Sequence, residues 1–248
     1  MSRWAFIVGA QRSSTTYLYH VLSKSSHICM ATPLQPEPKF FLKDDLYERG
    51  LDYYLKTYYQ HPDADLLVEK STSYMESIVS ARRIHQNFPA AKIIFILRNP
   101  IERVISHYKF SCFHGLETLS LEKALEKEEE RINRYDHQAV SVSPFAYLQR
   151  GKYAEYIESY LTIFPREQTK ILVQEHFINN SDAIADLCTF LETPFSEAMV
   201  LDEKFNASDD IDYDLSPEME AALYAFYAPY NKNLSKLIEE LDLSHWQK

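Results

Sequence analysis

The stretch Phe6-Ile7-Val8-Gly9-Ala10-Gln11-Arg12-Ser13-Ser14-Thr15-Thr16 reads as a buried strand that ends in a loop and opens a helix. Phe6 to Val8 complete the apolar run Trp4–Val8, and Leu18, Val21 and Leu22 supply an apolar helical face beyond the loop. Ser13 or Ser14 can cap that helix. Its first-turn N–H groups and dipole then point at whatever occupies the loop. Hydroxyls, the Gln11 amide and the Arg12 guanidinium add donors at the same place, which is the chemistry of an anion cradle, phosphate above all. A Walker A loop needs G-x-x-x-x-G-K-[ST]. Here Gly9 matches, but Ser14 replaces the second Gly, Thr15 replaces the Lys, and the positive charge has moved to Arg12. A triphosphatase built on Lys and Mg²⁺ is disfavoured. The plainer alternative is an ordinary capped turn with an exposed Arg.

Working outward, Leu66–Val68, Ile93–Leu97 and Lys170–Val173 are further short apolar runs. Amphipathic stretches of helical length alternate with them: Ser71 to Gln86, Ile101 to Phe113 and Tyr153 to Phe164. Asp182 to Leu191 and Pro217 to Leu241 complete the helical set, and Leu119 to Arg134, rich in Glu and Lys, reads as a solvated helix. Continuous apolar strands between helices predict an α/β fold, a central parallel sheet flanked by helices. The 248 residues show no repeat and no Pro/Gly/Ser linker, so a single domain over 1–248 is expected.

Composition narrows the function. Hydrophobic residues are 46% and charged residues 25%, ordinary globular usage. With 26 Lys+Arg against 36 Asp+Glu the formal charge is −10, a poor field for gripping nucleic acid or anionic lipid. Cys29, Cys112 and Cys188 form no CxxC pair, and the nine His residues show no ligand spacing, so neither a disulfide framework nor a metal is expected. No run approaches a membrane span or a secretory h-region, which makes a cytoplasmic protein without membrane contact the expectation.

A second motif follows the strand Lys92–Leu97. Arg98 stands at its carboxyl end, where ligands bind in open α/β sheets, and its planar fork suits phosphate. Asn99 is placed to cap the next helix, Pro100 suits its first position, and Glu102 sits where a capping box wants it. Ser106 falls two turns in. The plain alternative is a surface Arg98 paired with Glu102.

Together, Gly9-Ala10-Gln11-Arg12-Ser13-Ser14-Thr15-Thr16 and Arg98-x₇-Ser106 resemble the sulfotransferases that use PAPS, 3′-phosphoadenosine 5′-phosphosulfate. The resemblance implies the P-loop-like sulfotransferase fold, with the first loop holding the 5′-phosphosulfate and Arg98 and Ser106 the 3′-phosphate. Arg150-Gly151-Lys152-Tyr153 resembles the family's later basic-Gly element, which closes over the 3′-phosphate and adenine. Glu37-Pro38-Lys39-Phe40-Phe41, Glu69-Lys70-Ser71 and Tyr153-x₃-Ile157-x₂-Tyr160-Leu161 are similar to the heparan sulfate branch. The likeness runs from residue 4 to about 175. It departs at Ser14, where the family usually carries Gly, and at Arg12, where many members carry Lys.

What this resemblance implies chemically is in-line sulfuryl transfer without a metal. Arg12 stabilises the departing bridging oxygen, Lys70 is a second cation, and Glu37, stiffened between Pro36 and Pro38, is the general base. Alternatives stay open: Lys70 paired with Glu69, Glu37 as a solvated loop charge, and His107 or His20 as the base. Tyr53, Tyr54, Tyr58 and Tyr59 could serve an acceptor or adenine, although packing around the core is the plainer reading. The net charge argues for a small acceptor, neutral or cationic, such as an alcohol or a guanidinium-bearing natural product; family members that tailor secondary metabolites, alkaloid toxins among them, look like suitable relatives. The acidic segment Asp202 to Asp214, read as a loop, could meet a cationic acceptor. A P-loop kinase-like phosphotransferase, a heparan-type glycan sulfotransferase and a non-catalytic nucleotide-binding module are the alternatives. Oligomeric state is not legible.

Overall fold

The computed structural model describes residues 2–134, 143–202 and 215–246. In chain order the elements are β1 (Arg3–Gly9), α1 (Thr15–Ser23), β2 (Ile28–Met30), α2 (Asp44–Tyr47), α3 (Gly50–Tyr58), β3 (Leu66–Lys70), α4 (Ile78–Asn87), β4 (Lys92–Leu97), α5 (Pro100–Phe113), α6 (Leu121–Glu126), α7 (Glu128–Asn133), α8 (Tyr153–Leu161), β5 (Thr169–Val173), α9 (Gln174–Phe177), α10 (Ser181–Phe190) and α11 (Pro217–Leu237). They form two compact units, one of residues 1–97 and 159–205, the other of residues 98–158 and 206–248.

The first unit carries the five-stranded sheet, in the order β2-β3-β1-β4-β5, every pairing parallel. Side chains alternate across it. Ala5, Ile7, Leu66, Val68, Ile94 and Ile96 face one way and pack with Leu18, Val21 and Leu22 of α1 and Ile184 and Leu187 of α10. Trp4, Phe6 and Phe95 face the other way. Trp4 and Phe6 meet Phe41, Tyr54, Tyr59 and Phe88, and Phe95 meets Tyr160. Tyr54, Tyr58 and Tyr59 are thus core residues, which settles the tyrosine cluster as packing. The expected parallel sheet is present, together with β2, whose three residues carried no signal of their own.

Two sequence expectations need correction here. Ser71 to Gln86 is not one helix: Thr72–Tyr74 form a short 3₁₀ turn and α4 starts only at Ile78, where Ser77 accepts from Ser80 N. Leu119 to Arg134 is not a solvated helix. It divides into α6 and α7, and Leu121, Ala124 and Glu128 are buried. In the second unit Ile101, Val104 and Tyr108 of α5 pack with Leu121, Ala124, Tyr147, Leu223 and Tyr227. No helix among the described residues is long and apolar enough to cross a membrane.

Candidate active site

In the first unit, β1 ends at Gly9 because the turn after β3 presses on it. A Cβ there would lie 2.8 Å from Met75 Cβ, and Met75 N donates to Val8 O. Ala10 N donates to Ile96 O at 2.8 Å, so the loop starts pinned between two strands. Arg12 (φ 68°) and Ser14 (φ 57°) then take left-handed backbone, which turns the chain sharply into α1. Ser14 occupies the cap position but does not cap with its side chain; its Oγ donates to Gln174 Oε1 at 2.8 Å. The expectation of a Ser cap is corrected accordingly. Ser13 is fully buried and its Oγ has no hydrogen-bond partner among the described residues. An orphaned buried hydroxyl beside the first-turn N–H groups of a nine-residue helix fits an anion with several acceptor oxygens. Thr15 is buried as well, while Gln11, Arg12 and Thr16 are half-buried.

β3 contributes the next groups. Lys70 pairs in register with Ile7 of β1 and so points to the α1 side of the sheet. Its Nζ donates to Glu37 Oε1 at 2.5 Å; Thr72 N donates to Glu37 Oε2 at 2.9 Å, and Thr72 Oγ1 lies 3.0 and 3.1 Å from the two carboxylate oxygens. Lys70 is 4% exposed and Glu37 13%, so this is a part-buried, orientated pair rather than a solvated loop charge. Pairing of Lys70 with Glu69 is excluded by strand alternation, because neighbours face opposite sides. Glu69 lies on the aromatic side, fully buried, and accepts from Tyr54 Oη (2.5 Å) and Ser71 Oγ (2.6 Å). Burial pushes its carboxyl up to about 7, against the pull of hydroxyls from Ser71, Tyr54 and Tyr74, and the Glu37 charge adds to the rise.

In the second unit, Asn99 caps α5 as expected, accepting from Ile101 N, and Pro100 begins the helix. Glu102 faces back toward the start of the helix. It accepts from Arg98 Nε (3.1 Å) and Nη2 (2.9 Å). Arg98, Glu102 and Ser106 follow at intervals of four, which stacks them along one side of α5 and its entry. Tyr153, buried, donates from Oη to Arg98 O at 2.9 Å. Arg150 is buried in a turn. Lys152 lies 5.7 and 5.0 Å over the rings of Phe226 and Tyr230. A Cβ on Gly151 would lie 2.6 Å from Tyr227 Oη, so only glycine permits that approach. His107 is 2% exposed and packs on the Tyr147 ring in this unit's core. His20, half-buried on α1, makes an edge contact with the Tyr19 ring.

The structure adds groups that the sequence did not single out. Thr72 holds Glu37, Gln174 holds Ser14, and Glu128 and Arg103 anchor the turn bearing Arg150. Thr72 stands two residues after Lys70, a spacing that could have been read as a shared face; the others depend on distant contacts. Of the acidic segment, Asp202 is exposed and 203–214 lie outside the described residues. A cleft of about 460 Å³ along β2, lined by Tyr19, Cys29, Met30, Thr32 and His61 among others, includes none of these site residues. Among the described residues no group of three or more His, Cys, Asp or Glu could hold a metal ion.

Comparison with known proteins agrees with this fold. The sulfotransferase domain pattern matches residues 3–209. Human heparan sulfate glucosamine 3-O-sulfotransferase 6 is 29% identical over 176 residues, covering 71% of this chain and 48% of that protein. The curated relatives are longer, and the match covers 13% to 48% of their length. A sulfotransferase crystal structure from Alicyclobacillus acidocaldarius superposes over 100% of both chains, with a TM-score of 0.80 and 28% identity. A mouse sulfotransferase complexed with PAP shares the fold at a TM-score of 0.59 and 13% identity, over 97% of this chain and 89% of that one. The match over residues 3–209 includes the α/β scaffold, the hydroxyl-rich loop after its first strand and the lysine–glutamate pair beside it, and the chain belongs to the sulfotransferase family of enzymes.

Proposed function

We propose that this enzyme moves a sulfuryl group from PAPS to a hydroxyl, or to an amine or guanidinium nitrogen, of a small neutral or cationic acceptor. The observation that carries the reading is the Glu37 carboxylate, fixed by Lys70 and Thr72 at the carboxyl end of β3, the neighbour of the strand that opens the anion loop. The donor, when bound, supplies the activated sulfuryl group. The loop Gln11–Thr16 takes its 5′-phosphosulfate, with Ser13 Oγ, Ser14, Thr15, Thr16 and the α1 N–H groups as donors. Arg98, Ser106, Arg150, Gly151, Lys152 and Tyr153 take the 3′-phosphate and adenine. Glu37 accepts the acceptor's proton, and Arg12 and Lys70 stabilise the charge that develops on the departing oxygen. His107 is a core residue here, so the base role goes to Glu37 in preference to it and to His20. Residues 1–248 act as one sulfotransferase domain, a reading supported by the family match across 3–209. The three unpaired cysteines support a cytoplasmic setting.

The acceptor class rests on the −10 charge, which opposes a polyanionic glycan. The named heparan-type relatives favour the opposite reading. Mass spectrometry after incubation with PAPS separates them. A gain of one sulfate on small alcohols or guanidinium compounds is expected, whereas sulfation of desulfated heparan with none of the small acceptors modified overturns the proposal. Glu37→Gln keeps the shape and removes the base. Turnover is expected to fall by about 10²–10⁴ with PAPS affinity unchanged, and near-normal turnover gives the role to another group.

A further inference from the structure

We propose that Glu69 is a positioning residue, a buried carboxylate that fixes the loop bearing Glu37 through the hydroxyls of Ser71 and Tyr74. The inference rests on the reading of Glu37 as the base, and it deepens it. Ser71 Oγ donates to Glu69 Oε1 at 2.6 Å and accepts Lys39 N at 3.0 Å. Tyr74 Oη accepts Phe41 N at 2.9 Å, and the same hydroxyl is one of those that pull the Glu69 carboxyl down. Ser71 is therefore a relay, a donor to the carboxylate and an acceptor for the loop, and the Tyr74 hydroxyl stands between the same carboxylate and the next loop amide. Tyr54 Oη occupies the other carboxylate oxygen at 2.5 Å and lies 3.0 Å from Tyr59 Oη, so the glutamate is itself held from α3.

The geometry repeats along the loop. Residue 37 is held by its carboxylate, 39 and 41 by their amides, and all three by residues 70 to 74, immediately after Glu69. The loop needs this restraint, because Lys39 sits at φ 52°, a left-handed conformation that is unfavourable for a residue with a Cβ and persists only where its surroundings over-determine it. Ser71 also keeps its hydroxyl proton directed at Glu69, which leaves a lone pair for Lys39 N–H. Glu69 itself touches neither acceptor nor donor and acts only through the loop.

The test is Glu69→Gln, read by amide hydrogen exchange across 37–41 and by steady-state kinetics, with Glu37→Gln as the reference. Gln keeps the volume but replaces one acceptor oxygen with an NH₂ and removes the charge, so the hydroxyls facing it lose a charge-assisted acceptor and hold the loop less tightly. Exchange at Lys39 and Phe41 is expected to rise about tenfold while β4 is unchanged. Turnover is expected to fall about tenfold with the affinity for PAP constant, and the fall is expected to vanish in the Glu37→Gln background. Unchanged exchange at both amides overturns the proposal, as does a fall in turnover of the same size in the Glu37→Gln background. If exchange rises but Glu37→Gln alone retains turnover, the positioning role stands and the base assignment fails. Should Glu69→Gln not fold, Ser71→Ala and Tyr74→Phe each remove one hydroxyl. Each is expected to release only its own amide, Lys39 or Phe41, and release of neither overturns the proposal.

Discussion

Two loops in this molecule hang on buried glutamates, and they are built differently. In the first unit Glu69 reaches the backbone of 39 through the Ser71 hydroxyl, and the Tyr74 hydroxyl that holds 41 also acts on its carboxyl. In the second, Glu128 at the start of α7 accepts Leu148 N (2.6 Å) and Gln149 N (2.8 Å) directly. There Tyr227 Oη donates to Leu148 O, and the guanidinium of Arg103 donates to Tyr147 O. Burial raises both carboxyls, but Glu69 has neutral hydroxyls and a like charge nearby, whereas amides and the Arg103 charge oppose the rise at Glu128. A turn that presents Arg150 and Lys152 needs its backbone fixed against a fully buried Arg103. The loop that presents Glu37 is set by hydroxyls that can reorientate. Around its buried glutamate the second unit uses backbone amides and the Arg103 charge where the first uses hydroxyls.

The largest effect expected is in the second unit. Glu128→Ala strands two part-buried N–H groups, each worth up to about 1–3 kcal/mol. The variant should lose about 2–4 kcal/mol, a fall in Tm of about 5–15 °C for a chain of this size. Calorimetry decides it, and a Tm within 2 °C of wild type, roughly the shift of a single kcal/mol or less, would remove the contrast.

Next comes the pH dependence that Glu69 imposes. Its carboxyl titrates at about 7 in the folded chain against an ordinary value of 4.5, so the folded state holds the proton more tightly. Stability from this group is fully present below pH 4.5 and is lost as pH rises through 7. The full change is up to about 3 kcal/mol. Denaturant midpoints from pH 5 to 8 should fall in the wild type and flatten in Glu69→Gln. Parallel profiles would mean that Glu69 stays ionised throughout.

How far this was legible follows from the same contrast. Strand β1, its loop and α1 were readable because apolar runs, hydroxyls and one arginine lie together in the chain. Asn99, Pro100 and the face of α5 were readable for the same reason. β2 was not, since Ile28–Met30 is three residues whose strand character comes only from pairing with Leu66–Val68. Glu128 sits in the run Glu128-Glu129-Glu130, where composition says solvent; only the amides of 148 and 149 bury it. Helix propensity also misplaced the start of α4, because the hydroxyls of Ser71, Thr72 and Tyr74 are engaged with Glu69, Glu37 and the loop. Partnership across the sequence, which no local pattern records, is what converts an ordinary Glu or Ser into part of a site.

A smaller effect tests the charge-built side. Arg98→Ala should weaken PAPS by about 1.5–3 kcal/mol through the 3′-phosphate. Adenosine 5′-phosphosulfate, which lacks that phosphate, should bind wild type and variant alike. Part of the loss is offset, because Arg98 no longer has to leave Glu102, an i,i+4 pair worth about 0.3–0.5 kcal/mol. A variant that discriminates between the two donors as well as the wild type does would show that the phosphate is read elsewhere.

The smallest effect belongs to the hydroxyl-built side. Ser13 is fully buried, with an Oγ that no described residue satisfies. In the free chain that hydroxyl is a desolvated polar group without a partner, so Ser13→Ala should leave stability unchanged or raise it slightly. In the complex the same hydroxyl is expected to donate to the donor's 5′-phosphosulfate, a bond worth about 0.5–1.5 kcal/mol net. The variant should therefore bind PAP less tightly by roughly 2–10-fold while its Tm holds or increases. A hydroxyl that merely fills space predicts no change in affinity, and one bonded within the loop predicts a lower Tm. Titration calorimetry with PAP, set beside a thermal scan of the free protein, separates the three.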